Sequence, residues 1–237
     1  MSENKEQLKR EIVKALDKNT SKDYLEIALK TGLTGIPIIG GSITELMNDF
    51  IPNSKAKRLL DFVAQLKIDV DSMKDKIKNE LIQTDEFAYL FEQTFRVINE
   101  NYQKEKIDAF RILLVNSLIR TDVNAEKKEI LFNILKNLSV RHIKFLKMFY
   151  DPEKYVKENR CNISPYSQAP VGVLLSEIFP EYNTDEINLI LTDLHNMGLG
   201  GIDPSALGVV QSSYGIHMVQ NRLKQLGRSI VEFIILK

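Results

Sequence analysis

Residues 171–197 read VGVLLSEIFPEYNTDEINLILTDLHNM, and this stretch predicts two helices. The segment before Pro180 is short and mostly apolar, which predicts one helix that the proline ends. Asn183 and Glu186 then have the spacing of a capping box, in which a capping side chain is followed three positions later by Glu. A second helix is therefore predicted over residues 183–197, and the two helices together form a helix-turn-helix arrangement.

The second helix of this pair would carry negative charge. It contains no Lys or Arg between Asn183 and Met197. Reading of DNA bases needs Arg, Lys, Asn or Gln at the exposed start of a recognition helix. We therefore expect a poor reader of DNA that presents an acidic helix to a protein partner. The predicted partner-binding residues are Asp185, Glu186, Asn188 and Asp193.

The composition is that of an ordinary soluble protein. Hydrophobic residues make up 43% of the 237 residues and charged residues 27%. Lys and Arg number 32, as do Asp and Glu, so no net charge draws the chain to nucleic acid or to an anionic membrane. Cys161 is the single cysteine, which favours a reducing compartment. With a polar N-terminus and no run of ~18 apolar residues, the sequence predicts a protein of a bacterial-type cytoplasm.

Residues 1–138 predict a helical bundle, because apolar residues recur at helical spacing with short connections between them. Within this bundle, residues 55–82 favour one long helix with a heptad-like apolar seam. Packing of the seam inside one chain is preferred, and a homodimer is the alternative. The seam residues, which would carry self-association in that alternative, are Leu59, Val63, Leu66, Val70, Met73 and Ile77.

Residues 139–237 predict a second module. A helix over 140–150, capped by Ser139, precedes the 171–197 pair, residues 207–219 favour a β-hairpin, and a last helix follows Gly227. This order resembles winged helix-turn-helix domains through His142-Ile-Lys-Phe-Leu, Leu189-x-x-x-Asp-Leu-x-x-x-Gly-Leu199 and Leu226-Gly227-x-x-Ile-x-x-Phe233. The resemblance implies a winged-helix-like α+β module with a small β-hairpin, and such modules usually bind DNA. The expected fold class is therefore mainly α, with a helical bundle followed by this module.

Two other functions stay open. In the first, a transcriptional regulator contacts DNA through Arg141, Lys144 and Lys147, although residues 139–237 hold ten basic and ten acidic residues and so lack the excess of cations that phosphate contacts need. In the second, a membrane-acting effector of the phage-defence type inserts residues 32–51 into a bilayer. This stretch is rich in apolar residues and is interrupted by Gly and Pro. The helical first part has a layout similar to that of uncharacterised bacterial proteins suspected of such roles.

The sequence predicts no enzyme. Cys161 and the three histidines (His142, His195 and His217) are scattered, without the spacing of metal ligands or of a Cys-His motif. The glycines between residues 32 and 41 lack the Gly-Lys-Ser/Thr of a phosphate-binding loop. We expect no catalytic residue, metal or cofactor, and the favoured function is that of a non-catalytic interaction protein.

Overall fold

The computed structural model describes residues 53–73, 75–77, 81, 84–163, 170–208 and 215–235. Over these ranges the chain forms nine α-helices and two short 3-10 helices. The α-helices are α1 (Asn53–Ser72), α2 (Asp85–Glu100), α3 (Lys104–Ile119), α4 (Ala125–Asn137), α5 (Val140–Tyr150), α6 (Pro152–Asn159), α7 (Val171–Ile178), α8 (Thr184–Asn196) and α9 (Gln225–Phe233). The 3-10 helices are Pro204–Ala206 and Gly215–Val219.

The chain divides into two compact units. The second unit is Asn137–Glu232, and the first comprises the chain before it together with the C-terminal stretch from Phe233. In the first unit α1, α2 and α3 pack against one another. Ring contacts hold this core, with the centroids of Phe62 and Phe95 5.9 Å apart and those of Phe110 and Phe132 5.1 Å apart. The elements predicted before residue 53, including the apolar stretch 32–51, lie outside the described residues.

The long helix predicted over residues 55–82 is wrong at its C-terminal end, because α1 stops at Ser72. The hydroxyl of Ser72 donates to the carbonyl oxygen of Asp69 at 2.8 Å, and the backbone N–H of Met73 is shared between the carbonyls of Asp69 and Val70. Such local bonds compete with continued helical bonding. The heptad spacing therefore continues in the sequence beyond the point at which the helix ends.

In the second unit, both predicted helix starts are confirmed. Ser139 caps α5, where its backbone N–H donates to Nδ1 of His142 at 3.1 Å. Asn183 caps α8 as a full capping box: its Oδ1 accepts from the backbone N–H of Glu186 at 2.9 Å, and Oε2 of Glu186 accepts from the backbone N–H of Asn183 at 3.0 Å. The helix pair α7 and α8 is therefore formed as the sequence indicates.

The predicted β-hairpin wing is wrong, and with it the α+β class of the second module. Residues 215–219 form a 3-10 helix, while residues 209–214 lie outside the description. Gly215, Met218 and Val219 are all buried. In a 3-10 helix residues three apart lie one above the other, so Gly215 and Met218 share one side and Val219 follows on the same turn. A strand would send the neighbours Met218 and Val219 to opposite faces. Burial of both side chains thus overrides the β-propensity of this segment.

Backbone pairing at the expected base of the wing is limited to one antiparallel bridge between Gly200 and Leu223, and the described residues contain no strand. The backbone N–H of Gly201 donates to the carbonyl of Arg222 at 2.8 Å. A Cβ atom on Gly227 would lie 1.9 Å from the carbonyl oxygen of Leu199, and one on Gly200 would lie 2.4 Å from that of Arg222. These two glycines let the two backbone segments approach closely without forming a sheet.

Candidate interaction surface

Two ion pairs and one histidine–carboxylate contact join α5 to α8 and to the turn before α8. Arg141 Nη1 lies 2.6 Å from Oε1 of Glu186, and Lys144 Nζ lies 3.0 Å from Oε1 of Glu181. His142 Nε2 lies 3.2 Å from Oδ2 of Asp193. We call these three contacts the charge seam. Its two cations, Arg141 and Lys144, come from the predicted DNA-contacting strip, and two of its three carboxylates come from the predicted partner-binding set.

Aromatic packing positions the charge seam. The rings of Phe145 on α5 and Phe179 stack with centroids 4.1 Å apart, and Tyr182 extends this stack at 6.0 Å from Phe179. The guanidinium of Arg141 lies 5.1 Å from the Tyr182 ring centroid, and the ammonium of Lys144 lies 5.7 Å from it. The seam is therefore positioned by aromatic residues at the turn, of which Phe145 and Phe179 are buried and Tyr182 is half-buried.

The pKa values of Lys144 and Glu181 reflect their contact. Burial acts against the charged form of each group and is the largest single influence on both. For Lys144, the hydrogen bond to Glu181 and the interactions with Tyr182 and Glu181 together outweigh burial and raise the pKa. For Glu181, the hydrogen bond to Lys144, a backbone hydrogen bond and the attraction of the ammonium together lower the pKa. Both groups are therefore charged at neutral pH.

The four predicted partner-binding residues have different environments. Glu186 is engaged twice, by Arg141 and by the backbone of Asn183, and Asp193 contacts His142. Asn188 is half-buried, while Asp185 is exposed. Asp185 makes no hydrogen bond or ion pair with any residue that the structure describes. Of the four predicted residues, Asp185 is therefore the one whose side chain is most available for contact with a partner.

The predicted DNA-contacting strip is partly neutralised. Arg141 and Lys144 each face a carboxylate in the charge seam, and Lys147 is half-buried. Counterion release requires cations that phosphates can reach, and a cation already paired with a carboxylate contributes less to it. The contacts of α5 therefore weigh against a DNA-binding role for this helix.

Sequence reasoning missed the apolar part of this surface. Leu189 on α8 is 60% exposed, Met197 at the end of α8 is 39% exposed, and Val173 on the adjacent α7 is 46% exposed. The signal was present in the sequence, since Leu189 lies off the buried stripe of Ile187, Ile190, Leu191 and Leu194. An apolar residue on the polar face of an otherwise regular amphipathic helix has no core to pack into.

Ser139, His142 and Asp193 lie in the order of a hydrolase triad. Oγ of Ser139 is 3.0 Å from Nδ1 of His142, whose Nε2 contacts Asp193. However, the backbone N–H of Ser139 donates to the same Nδ1 at 3.1 Å, so the lone pair that would take the hydroxyl proton is already engaged. The arrangement is therefore a helix cap that is anchored to α8.

Cys161 lies beside a cavity of about 460 Å³ in the second unit, lined also by Tyr155, Lys144 and Glu181. Its thiol donates weakly to the carbonyl of Ile178, with a sulfur–oxygen distance of 3.7 Å. Burial and the charge of Glu181 raise the pKa of the thiol. A protonated thiol is a poor nucleophile, and no histidine lines this cavity. The structure does not bring Cys161 together with His142, which contacts Asp193, or with His217, which contacts Gln220.

The predicted self-association seam lies mainly inside the first unit. Leu59, Val63 and Leu66 are at most 1% exposed, and Ile77, beyond the end of α1, is 8% exposed. Val70 and Met73 are half-buried. Side chains that are covered by their own chain have little area to offer a second copy, so their burial favours packing within one chain.

Over the ranges that the structure covers, no group of three or more His, Cys, Asp or Glu side chains is placed to hold a metal ion. None of the described helices is both long and apolar enough to cross a bilayer. No family model, no curated protein and no solved structure matched the chain.

Proposed function

We propose that the chain is a non-catalytic interaction protein whose second unit binds a protein segment on the outer face of α8. The surface that we assign, named the α8 face, consists of Leu189, Met197 and Asp185, bordered by Asn188 and Asp193. The supporting observation is the 60% exposure of Leu189 on a helix whose other large aliphatic residues are buried.

Charge complementarity defines the partner. Asp185 is exposed, and Asp193 keeps 38% of its side chain exposed beside His142. The described part of α8 carries no Lys or Arg. A segment with a large apolar side chain next to a Lys or Arg would bury Leu189 and place its cation against a carboxylate. Isolated exposed apolar residues are common, so the proposal depends on the combination of Leu189 with this acidic border.

The test is selection of random displayed peptides on the full chain, followed by fluorescence polarisation with a selected peptide. We expect enrichment of peptides that pair a cation with a large apolar residue. Leu189→Asp should weaken their binding about tenfold or more, because it places a charge where the apolar anchor docks. The matched control is Ile130→Asp, which alters an apolar side chain of the first unit that is 42% exposed. Selection of peptides that bind Leu189→Asp equally well would contradict the proposal.

A DNA titration separates the rival function. The regulator hypothesis predicts tight, salt-sensitive binding of duplex DNA that charge reversal at Arg141, Lys144 and Lys147 abolishes. If both results are found, that hypothesis is correct and our proposal is wrong. DNA binding that is absent, or that is unchanged by these substitutions, would leave α5 without a nucleic-acid role.

A further inference from the structure

Residues four apart on α8 form a ridge along the outer side of the helix. Asp185, Leu189, Asp193 and Met197 follow one another at this spacing, at which side chains are neighbours on a helix surface. None of the four is buried, since Asp185 is exposed, Leu189 and Met197 are exposed apolar residues, and Asp193 is half-buried. The ridge therefore alternates a carboxylate with a large apolar side chain over ~18 Å, at ~1.5 Å per residue.

The N-terminal end of this ridge carries one unbalanced negative charge. Glu186 and Glu181 are close to Asp185 in the sequence, but Arg141 and Lys144 pair with them. Asp185 forms no ion pair within the part of the chain that the structure describes. Its carboxylate is therefore the excess charge at this end of α8.

The C-terminal end of the ridge lies beside a segment that carries cations. Met197 is the C-cap of α8, and two residues later the carbonyl oxygen of Leu199 accepts from the backbone N–H of Lys224 at 3.1 Å. The side chain of Lys224 is exposed, and no ion pair joins it to another described residue. A cation at the C-terminal end of a helix is favourable, and this one remains accessible to a partner.

The charges at this end leave a positive excess. Three cations and two carboxylates occur between residue 198 and the end of α9, namely Arg222, Lys224, Arg228, Asp203 and Glu232. Arg228 and Glu232 both lie against Tyr150 and balance each other. The remaining two cations outnumber the remaining carboxylate by one. The two ends of the ridge are therefore opposite in sign, with Leu189 and Met197 between them.

We propose that the α8 face binds the α8 face of a second copy of this chain, with the two α8 helices antiparallel about a twofold axis. A surface that is acidic at one end and basic at the other is self-complementary when one copy is reversed. Each Asp185 then meets the Lys224 of the other copy, and each Leu189 packs on the other Met197. This inference rests on the proposed function, because it names the occupant of the same surface.

Sedimentation velocity of the full chain between about 5 and 500 µM tests the association. We expect a reversible monomer–dimer equilibrium in the micromolar range, because one helix face per copy is a small interface. Leu189→Asp should weaken the dimer about tenfold or more, and the matched control Ile130→Asp should not change it. A chain that stays monomeric at about 500 µM, or equal dimerisation of Leu189→Asp, would overturn the inference. Foreign peptides can still be selected on a monomeric chain, so the proposed function is judged separately.

Exchange of the two charges tests the pairing of Asp185 with Lys224. Asp185→Lys and Lys224→Asp should each weaken the dimer about three- to tenfold, because like charges then meet twice in every dimer. An equimolar mixture of the two variants should dimerise as well as wild type, since both pairs in the mixed dimer again have opposite charge. Glu126→Lys, which alters an exposed first-turn carboxylate of α4, is the control and should have no effect. A mixture that associates no better than either variant alone would show that these residues do not meet.

Asp193 tests the twofold arrangement itself. It lies midway between Leu189 and Met197 on the ridge, so two Asp193 carboxylates approach each other across the proposed axis. Asn at this position keeps an oxygen that can accept from Nε2 of His142 but removes the charge. Asp193→Asn should therefore tighten the dimer about two- to fivefold, whereas it should weaken the binding of a foreign cationic segment. A dimer that is unchanged or weaker in Asp193→Asn would contradict the antiparallel arrangement.

Discussion

The two units use ion pairs in opposite ways. In the first unit, Arg111 is shared between Asp69 and Asp108, and both it and Asp69 are at most 8% exposed. In the second unit, each cation of the charge seam has its own carboxylate, and the side chains of Arg141 and Glu181 are close to half exposed. Water therefore solvates much of the Arg141–Glu186 and Lys144–Glu181 pairs but little of the Asp69–Arg111 pair. We expect the buried cluster to matter for stability, whereas the seam mainly decides which charges reach the surface.

Arg111→Met should cause the largest loss in the free energy of unfolding. The substitution leaves the carboxylate of Asp69 buried without its cation, and breaking a buried pair in this way costs about 3–5 kcal/mol. Equilibrium unfolding of the full chain in urea measures the loss. The double variant Asp69→Asn with Arg111→Met should regain most of the lost stability, because no buried charge is then left uncompensated. A loss below about 1 kcal/mol for the single variant would show that water reaches Asp69.

Lys128→Met should lower the free energy of unfolding by an intermediate amount, which adds a partly buried pair to the comparison of the two units. The side chain of Lys128 is 4% exposed, and its Nζ donates to Oε1 of Glu86 at 2.7 Å. Glu86 is 30% exposed and can be solvated when the lysine is absent. We expect a loss of about 1–2 kcal/mol, between the fully buried pair and a surface pair. Lys127→Met, on the same helix, is the control in the same urea titration, and a loss equal to that of the control would contradict the expectation.

The smallest loss in the free energy of unfolding is expected for substitutions in the charge seam. Lys144→Met should cost about 0.2–1 kcal/mol at pH 7, because the side chains of Lys144 and Glu181 remain 33% and 45% exposed to water. The pH dependence has a definite sign. The lowered pKa of Glu181 means that its contribution is present above the usual value of 4.5 and is lost as the pH falls through the lowered pKa.

Urea midpoints at neutral and acidic pH check this dependence. Wild type should lose more stability between pH 7 and pH 3 than Lys144→Met, since the variant has no ammonium to stabilise the Glu181 carboxylate. An identical pH dependence in the two proteins would show that the pair contributes nothing in solution. A loss at pH 7 comparable to that of Arg111→Met would remove the contrast between the two units.

Local features of this fold could be predicted from the sequence, and pairing between distant elements could not. The caps at Ser139 and Asn183 depend on side chains within three residues, so their spacing was sufficient. The partner of Arg141, by contrast, lies 45 residues further along the chain. A charge on a helix face has the same sequence pattern whether it meets water, a nucleic acid or another helix. The acidic and basic surfaces were therefore predicted separately although they partly neutralise each other.

The prediction failed where tertiary packing overrides local preference. The segment around Met218 and Val219 has β-prone residues, yet both side chains enter the core from one turn. Similarly, the hydroxyl of Ser72 competes for a backbone carbonyl at a point where apolar spacing alone would continue the helix. The pairing of Arg111 with Asp69 also depends on α1 and α3 meeting, and the spacing of residues within either helix gives no indication of it.

The close approach of Gly227 to the backbone of Leu199 has a consequence for how this chain tolerates change. Any methyl group at position 227 would overlap a carbonyl oxygen that belongs to the main chain, and no rotamer adjustment can relieve that overlap. If every amino acid is tested at position 227 and the variants are screened for folded protein, only glycine should therefore be recovered. Codon 189, whose side chain projects into solvent, should accept almost every amino acid in the same screen.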